Sequence, residues 1–447
     1  MPYLPNTPDE RRAMLQAIGC ASVDELFAMI PAELRMQDDL NLPPAMGEIE
    51  LTAHMHRLAA KNLAADQNAC FLGAGAYDHF IPAVIDTIAS RGEFYTAYTP
   101  YQAEASQGTL QAIFEYQTLI TQLTGMDVSN ASLYDGGTAV VEAVLMAMGV
   151  TRRTGRVVTT AGVHPEYRQI MATYLANHGT ELRVLDAPRG TTGPEAIEAA
   201  VDANTACVLV QQPNFFGCLE DVEAAAEIAH RAGAALVVSV NPISLGLLKR
   251  PGDYGADVVV AEGQPLGNTL SYGGPYLGIM ACSEKFVRRM PGRLVGQTTD
   301  RRGRRCWVLT LQTREQHIRR EKATSNICTN QGLMALRAAV YLATMGPAGL
   351  RGVAELCLQK AHYAARRLAD EEALDIVFDK PFFNEFVVRV GGGNVRERLK
   401  RARHEGILPG VPLECWYPHL ADCILVAVTE KRTKEEIDRL AAVLGTA

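Results

Sequence analysis

The stretch from Asp257 to Gly278 reads DVVVAEGQPLGNTLSYGGPYLG and governs how the whole chain is interpreted. It begins as a short apolar strand at Val258-Val259-Val260, breaks into a glycine-rich loop, and returns to an apolar strand at Tyr276. Glycines that follow a buried strand let the backbone approach a ligand closely, so this pattern predicts a binding site. Between Glu262 and Pro275, however, there is no Lys, Cys, His, Asp or Glu. The loop therefore has the form of a site without a reactive side chain.

The composition is that of an ordinary globular protein. Of its 447 residues, 48% are hydrophobic and 21% are charged. This chain length is enough for about two or three domains. A net charge of −7 gives no indication of nucleic acid or of an anionic membrane as a partner. No apolar run approaches the ~20 residues of a membrane span, and the first residues lack an export signal. The ten cysteines form no CxxC pair, which favours a reducing cytoplasm and no structural metal site.

The chain reads as three successive regions. Residues 1–65 form a predicted N-terminal helical arm, in which Thr7-Pro8-Asp9-Glu10 has the pattern of a helix start. Residues 66–345 alternate short β-rich runs with helical patterns, which predicts a large domain with a mostly parallel sheet. Within this region, Asp300 to Gly303 reads as the tip of a hairpin. Residues 346–447 read as a separate small C-terminal α/β domain. The sequence therefore predicts an α/β fold.

Two polar segments are candidate anion sites. Asp135-Gly136-Gly137-Thr138 precedes a helix, where free backbone amides and the helix dipole attract an anion. The segment from Ala323 to Asn330 contains Thr324, Ser325, Asn326 and Thr329 and precedes a long helix. Both patterns are equally typical of ordinary helix caps, and the residues alone leave the two interpretations open.

Aromatic residues recur at a spacing of three in the run FYTAYTPY, which places tyrosines at positions 95, 98 and 101. They could fill the core, or they could present their hydroxyls to a pocket from an extended loop. An earlier segment, FLGAGAYD at 71–78, is similar to a dinucleotide-binding fingerprint. Its third glycine position is occupied by Asp78, so this motif does not support a Rossmann site.

Five longer runs carry a resemblance to a known family. The order of the regions resembles that of fold type I pyridoxal-phosphate (PLP) enzymes. More closely, the chain resembles the P-protein of the glycine cleavage system, in the first (alpha) subunit of its two-chain form. The similarity extends nearly from end to end, and its motifs are FLGAGAYDHFIP, FYTAYTPYQAEASQGTLQAIFEYQT, SLYDGGTAVVEA, RPGDYGADVVVAEGQPLGNTLSYGGPYLG and EKATSNICTNQGL.

The resemblance implies a fold and a reaction. The expected fold is that of a PLP-dependent transferase, with a seven-stranded sheet in the large domain. In the expected reaction, glycine combines with PLP and loses CO2, and its aminomethyl group passes to the lipoyl arm of H-protein. The cofactor ring serves as the electron sink for the decarboxylation. Such a site needs a Schiff-base lysine, an acid beside the pyridinium nitrogen, a phosphate cup and a ring that stacks on the cofactor.

The resemblance also places these parts on the present sequence, where two of them are missing. Pro265 stands where the lysine is expected, and Ser239 and Asn241 stand where the acid is expected. Neutral side chains cannot hold the ring nitrogen protonated as a carboxylate does. His164 corresponds to the stacking ring. We therefore expect no catalytic residue on this chain and a degenerate cofactor pocket that consists of Asp135, Gly136, Gly137, Thr138, His164, Ser239, Asn241 and Pro265.

The implied partners are a beta subunit that binds the PLP, glycine and lipoylated H-protein. The family suggests a two-plus-two heterotetramer in the cytoplasm, without nucleic acid or membrane. Fold type I sites lie at subunit interfaces, so this chain is expected to lend groups to the site of its partner. The groups implied by motif position are Tyr95, Tyr98, Thr324, Ser325, Asn326 and Thr329.

Two other kinds of function remain open at this point. The chain could be a self-sufficient PLP enzyme that uses a lysine from elsewhere in the sequence, with Lys249 and Lys285 as candidates. Alternatively, it could be a regulatory or storage-like binding module without a catalytic duty.

Overall fold

The computed structural model divides the chain into two compact units. The first ends at Leu63 and the second begins at Ala64. The first unit contains two helices, α1 (Pro8–Ile18) and α2 (Glu48–Ala59), neither of which has a buried residue. The Thr7 hydroxyl accepts a hydrogen bond from the amide of Glu10 at 3.2 Å and caps α1, as predicted. The structure describes residues 6–446 except Gln37, Asp39, Thr99, Gly393 and Asn394.

The second unit contains the strands of the described residues. They are β1 Ala69–Cys70, β2 Val128–Ser129, β3 Arg156–Thr160, β4 Glu181–Leu185, β5 Thr205–Gln212, β6 Ala235–Val240, β7 Val258–Glu262, β8 Gly278–Cys282, β9 Val295–Thr299, β10 Arg305–Leu309, β11 Leu374–Ile376, β12 Glu385–Val390, β13 Ile407–Leu408, β14 Val411–Pro412 and β15 Cys423–Ala427.

A seven-stranded sheet in the order β2-β8-β7-β6-β5-β3-β4 organises this unit. Within the run β7-β6-β5-β3-β4, all neighbouring strands are parallel to each other. In contrast, β8 is antiparallel to β7, and β2 is antiparallel to β8. The prediction of a mostly parallel seven-stranded sheet is therefore confirmed.

Helices cover both faces of this sheet. Val259 and Ala261 of β7 face one hydrophobic core, whereas Val258 and Val260 face another. This alternation follows from the two-residue period of a strand and explains why β7 is apolar at consecutive positions. The helices of the second unit are α3 Ala83–Ala89, α4 Gly92–Tyr95, α5 Gln107–Thr124, α6 Gly136–Thr151, α7 Pro165–Leu175, α8 Pro194–Ala200, α9 Val222–Arg231, α10 Gln316–Arg319, α11 Gly332–Ala369, α12 Val395–His404 and α13 Lys434–Gly445.

A smaller antiparallel sheet, in the order β11-β12-β15-β14, lies near the C-terminus. Its core includes side chains from α11, α12 and α13. The helix α11 is long and apolar enough to pass for a membrane span. A core helix meets the same criteria, however, and the buried side chains of Tyr341 and Leu368 place α11 in two hydrophobic cores. The division of the chain at residues 65/66 and 345/346 stays a prediction.

Candidate functional site

A cavity lies at the carboxyl ends of the central parallel strands, where ligands bind in open α/β sheets. We refer to it as the central cavity. Its volume is about 30 Å³, which is room for one or two water molecules. Ser239 and Asn241 at the end of β6, Glu262 at the end of β7, and His164 are among the residues that line it. Three predicted pocket residues therefore lie together.

The predicted phosphate cup is the N-terminus of α6. Asp135 caps this helix, because its carboxylate accepts a hydrogen bond from the amide of Thr138 at 2.7 Å. The amide of Gly136 donates to Oε2 of Glu262 at 2.9 Å. The anion cradle that the sequence predicts at Asp135 to Thr138 thus contacts a carboxyl group of the chain itself.

The Glu262 side chain is buried and well bonded. Its Oε1 accepts hydrogen bonds from the amides of Gln264 at 2.9 Å and Leu277 at 3.0 Å. Burial raises the pKa of Glu262 to about 7, and the amide bonds, including that from Gly136, oppose the rise. A carboxyl group therefore occupies the position between the helix terminus and the glycine-rich loop.

His164, the predicted stacking residue, is already engaged within the chain. Its Nδ1 accepts a hydrogen bond from the amide of Glu166 at 3.2 Å, and its Nε2 lies 2.9 Å from the carbonyl oxygen of Ala74. This arrangement fits a neutral ring with the proton on Nε2, and burial lowers the pKa of His164 accordingly. The ring stacks on Tyr167 with centroids 4.5 Å apart. One face of the imidazole is thereby covered.

The residues at the predicted lysine and acid positions are neutral and packed. Pro265 is buried beyond the end of β7, and Ser239 is buried at the end of β6. Asn241 uses its Oδ1 to accept a hydrogen bond from the amide of Ile243 at 3.0 Å. Nothing at these positions can form a Schiff base or pair with a pyridinium.

Gly75 and Tyr77 also line the central cavity, and sequence reasoning missed the residues that hold the segment at residues 74–77. The Gln264 side chain accepts from the amide of Tyr77 at 2.8 Å and donates to its carbonyl at 3.0 Å. Glu385 accepts from the Tyr77 hydroxyl at 2.6 Å and from the amide of Ala74 at 2.7 Å. Burial raises the pKa of Glu385 to about 7.

These residues do not fit a PLP molecule. A ligand of that size needs a pocket of ~300 Å³ or more, whereas the central cavity offers about 30 Å³. The helix N-terminus that would hold a phosphate contacts Glu262, and no lysine lines the central cavity among the described residues. The described residues of the central cavity therefore lack the groups that would hold this cofactor.

The residues expected to serve a partner lie elsewhere in the second unit. Tyr95 and Tyr98 are 69% and 95% exposed. Asn326 and Thr329 are also exposed, whereas Thr324 and Ser325 are half-buried beside a different, smaller pocket. The structure does not bring this group into the central cavity. Its contribution to a partner site stays a prediction.

One sequence signal could have identified Glu262. It is an acidic residue that ends an otherwise apolar strand immediately before a glycine. Charged residues are rarely buried without partners, so this position predicts a bonded carboxyl group. Tyr77 and Glu385 offered no comparable local signal, because their hydrogen bond joins positions 308 residues apart.

Comparisons with known proteins identify the family of this chain. The family described as "Glycine cleavage system P-protein" matches residues 1–444. The "Probable glycine dehydrogenase (decarboxylating) subunit 1" of Carboxydothermus hydrogenoformans is 55% identical over 447 residues, which cover 100% of this chain and 99% of the relative.

Solved structures confirm the predicted fold class. A crystal structure of glycine decarboxylase (P-protein) in inhibitor-bound form aligns with a TM-score of 0.90 at 44% identity, covering 100% of this chain and 99% of that one. A C-DES variant with glycine covalently linked to its PLP cofactor shares the fold alone, with a TM-score of 0.61 at 15% identity over 85% of this chain and 96% of that one. The full-length matches in sequence and structure place the chain in the glycine cleavage system P-protein family.

Proposed function

We propose that this chain is the alpha subunit of a two-subunit glycine decarboxylase. In the assembled enzyme, glycine is decarboxylated on PLP held by the beta subunit, and the aminomethyl group passes to lipoylated H-protein. The observation that carries the proposal is the small central cavity, beside which Glu262 contacts the helix terminus where a phosphate would bind. A family member that cannot hold the cofactor needs a second chain that can.

The first unit supports an association with another chain. Its two α-helices contain no buried residue, and large apolar side chains such as Met29 and Ile49 are each 87% exposed. So many exposed large apolar side chains in one short part of the chain favour a surface that another protein covers. We infer that the beta subunit is that protein, in a cytoplasmic two-plus-two assembly.

Lys249 and Lys285 do not support the alternative of a self-sufficient enzyme. Lys249 pairs with Glu223 at 2.7 Å, and Lys285 pairs with Asp257. Both lysine side chains are more than half exposed, and neither lines the central cavity. A Schiff-base lysine needs a position that faces the cofactor, within a shielded pocket.

Borohydride reduction of the co-expressed subunits tests the proposal. We expect a reduced pyridoxyl-lysine on the beta subunit alone, and glycine decarboxylation only when both chains are present. Lys249→Arg and Lys285→Arg should leave both results unchanged, which makes them the matched controls. Pyridoxyl-lysine on this chain would contradict the proposal. Full activity of the beta subunit by itself would instead favour a non-catalytic binding module.

A further inference from the structure

The carboxyl group of Glu262 is held by three separate segments of the chain. It receives one amide hydrogen bond from the start of α6 and two from the glycine-rich loop and its return, with lengths of 2.9 to 3.0 Å. The residue is only 9% exposed. Since each bond is donated by backbone, the arrangement is set by the fold and does not depend on the identity of the donor side chains.

Converging backbone amides at a helix N-terminus are the usual way in which proteins bind phosphate groups. The helix that begins at Gly136 is 16 residues long, so its dipole adds to the attraction of the amides. In this chain one amide of the helix N-terminus and two amides of the glycine-rich loop and its return bind a side chain of β7. Glu262 thus supplies the negative charge and the acceptor oxygens that a phosphate would otherwise bring.

We propose that Glu262 is a built-in substitute for a phosphate group, and that it excludes phosphorylated ligands from the central cavity of this chain. The inference deepens the proposed function and rests on it, because a chain that excludes phosphorylated ligands cannot carry the PLP. Phosphate binding by a Glu262 variant and borohydride labelling of the assembled enzyme are separate measurements, so a failure of one is distinguishable from a failure of the other.

Replacing Glu262 by a smaller residue tests whether its carboxyl group stands in for a phosphate. Shortening the side chain of Glu262 removes both the acceptors and the volume that fills the cup, while α6 and the glycine-rich loop still present their amides. In such a variant, inorganic phosphate can bind at the position that the carboxyl group occupies in the wild-type chain. Gln264 and Tyr77 remain hydrogen-bonded to each other in the variant, so the neighbouring segment keeps its support.

The experiment uses the full-length chain with Glu262→Ala and inorganic phosphate as the probe. Phosphate binding is followed by titration calorimetry and by thermal unfolding at pH 8, where the carboxyl of the wild-type chain is mainly ionised, with sodium chloride at matched ionic strength as the reference. We expect saturable phosphate binding by the variant, with an apparent affinity at least about tenfold above that of the wild type. Phosphate should also raise the unfolding temperature of the variant by about 2 °C or more.

Glu262→Gln is the matched control, since its side chain has nearly the same volume and keeps one acceptor oxygen. It should resemble the wild type and show no saturable phosphate binding. Glu262→Ser serves if the alanine variant does not fold, because its hydroxyl can still accept one amide bond. A folded alanine or serine variant that binds no phosphate would overturn the proposal, as would equal phosphate binding by the wild-type chain.

Discussion

Glu142 carries a second kind of buried carboxyl group, one without a full set of partners. It lies within α6 and is 5% exposed. Among the described residues, its Oε2 has no hydrogen-bond partner, and the Ser325 side chain is hydrogen-bonded to the carboxyl group. Burial raises the pKa of Glu142 to about 7, and the bond with Ser325 opposes the rise only in part.

This shift predicts a pH-dependent gain in stability for Glu142→Gln. The pKa is near 4.3 in the unfolded chain and about 7 in the folded chain, so the protonated form stabilises the fold. That contribution is present below about pH 4 and is lost as the pH rises through 7. Glutamine stays neutral, so the free energy of unfolding should shift in favour of the variant by up to about 3 kcal/mol between pH 5 and pH 8.

Urea denaturation at pH 5 and pH 8 measures this difference. Glu262 and Glu385 titrate in both proteins, so their contributions cancel in the comparison. Glu227→Gln, on the exposed side of α9, is the control for the loss of a surface charge. An equal stability difference at the two pH values would show that Glu142 is not responsible for the effect.

At the scale of single residues, the sequence predicted that His164, Ser239 and Asn241 share a pocket, and they line the central cavity. It also predicted the helix start at Asp135 to Thr138 from a capping residue beside two glycines. Its contact with Glu262 joins residues 126 positions apart, and no local pattern encodes such a pairing. The hydrogen bond between His164 and the carbonyl of Ala74 could not be predicted either, since the two residues are 90 positions apart.

At the scale of elements, local patterns predicted most of the strands and helices but not their pairing. The hairpin predicted around Asp300 to Gly303 is present, with β9 and β10 on either side. The helix α11 consists of two helical segments that meet at Gly346, whose backbone (φ 60°, ψ −178°) is not helical. Pro347 stands in the first turn of the second segment, where its missing N–H costs no helical hydrogen bond.

Gly217 is a strict requirement of the junction between the large sheet and the small one. Its φ is 84°, and an added Cβ would overlap the carbonyl group of Glu385 in β12. Its own carbonyl accepts a hydrogen bond from the amide of Phe383 at 3.2 Å. Gly179 has a similar φ of 67° but nothing within 4 Å of an added Cβ. Comparing substitutions at the two glycines therefore distinguishes the cost of backbone strain from the cost of steric overlap.

We predict that Gly217→Ala lowers the free energy of unfolding by about 4 kcal/mol or more, or prevents folding. Gly179→Ala should cost only about 1 to 2 kcal/mol, the strain of a left-handed conformation. Urea denaturation of the two variants gives the comparison, and soluble yield serves if Gly217→Ala does not fold. Equal losses in the two variants would mean that β12 moves away from the new methyl group at little cost.

At the scale of the whole molecule, exposed residues rather than buried ones are the candidates for function. We predict that Tyr98→Phe reduces kcat/KM for glycine in the assembled two-subunit enzyme by about tenfold, the effect of one lost hydrogen bond. The stability of the isolated chain should not change, because Tyr98 is 95% exposed. Glycine-dependent exchange of CO2 provides the measurement.

Tyr174→Phe is the control for this prediction, since Tyr174 is 46% exposed on α7 and far in sequence from the run that contains Tyr98. It should leave the exchange rate unchanged. If Tyr98→Phe also exchanges at the wild-type rate, Tyr98 does not serve the site of the partner. The family and its fold could be predicted from the sequence, but the exposure of Tyr98 became visible only in three dimensions.

The carboxyl group of Glu262 has a consequence for how the two subunits are made in a cell. Many cofactor-dependent chains gain part of their folding energy from the cofactor, so their yield follows its supply. In this chain the corresponding amides bind a group that is encoded in the gene and is present as soon as the chain is synthesised. The proposed function therefore predicts that this subunit still folds under vitamin B6 starvation, whereas the maturation of its partner depends on the vitamin.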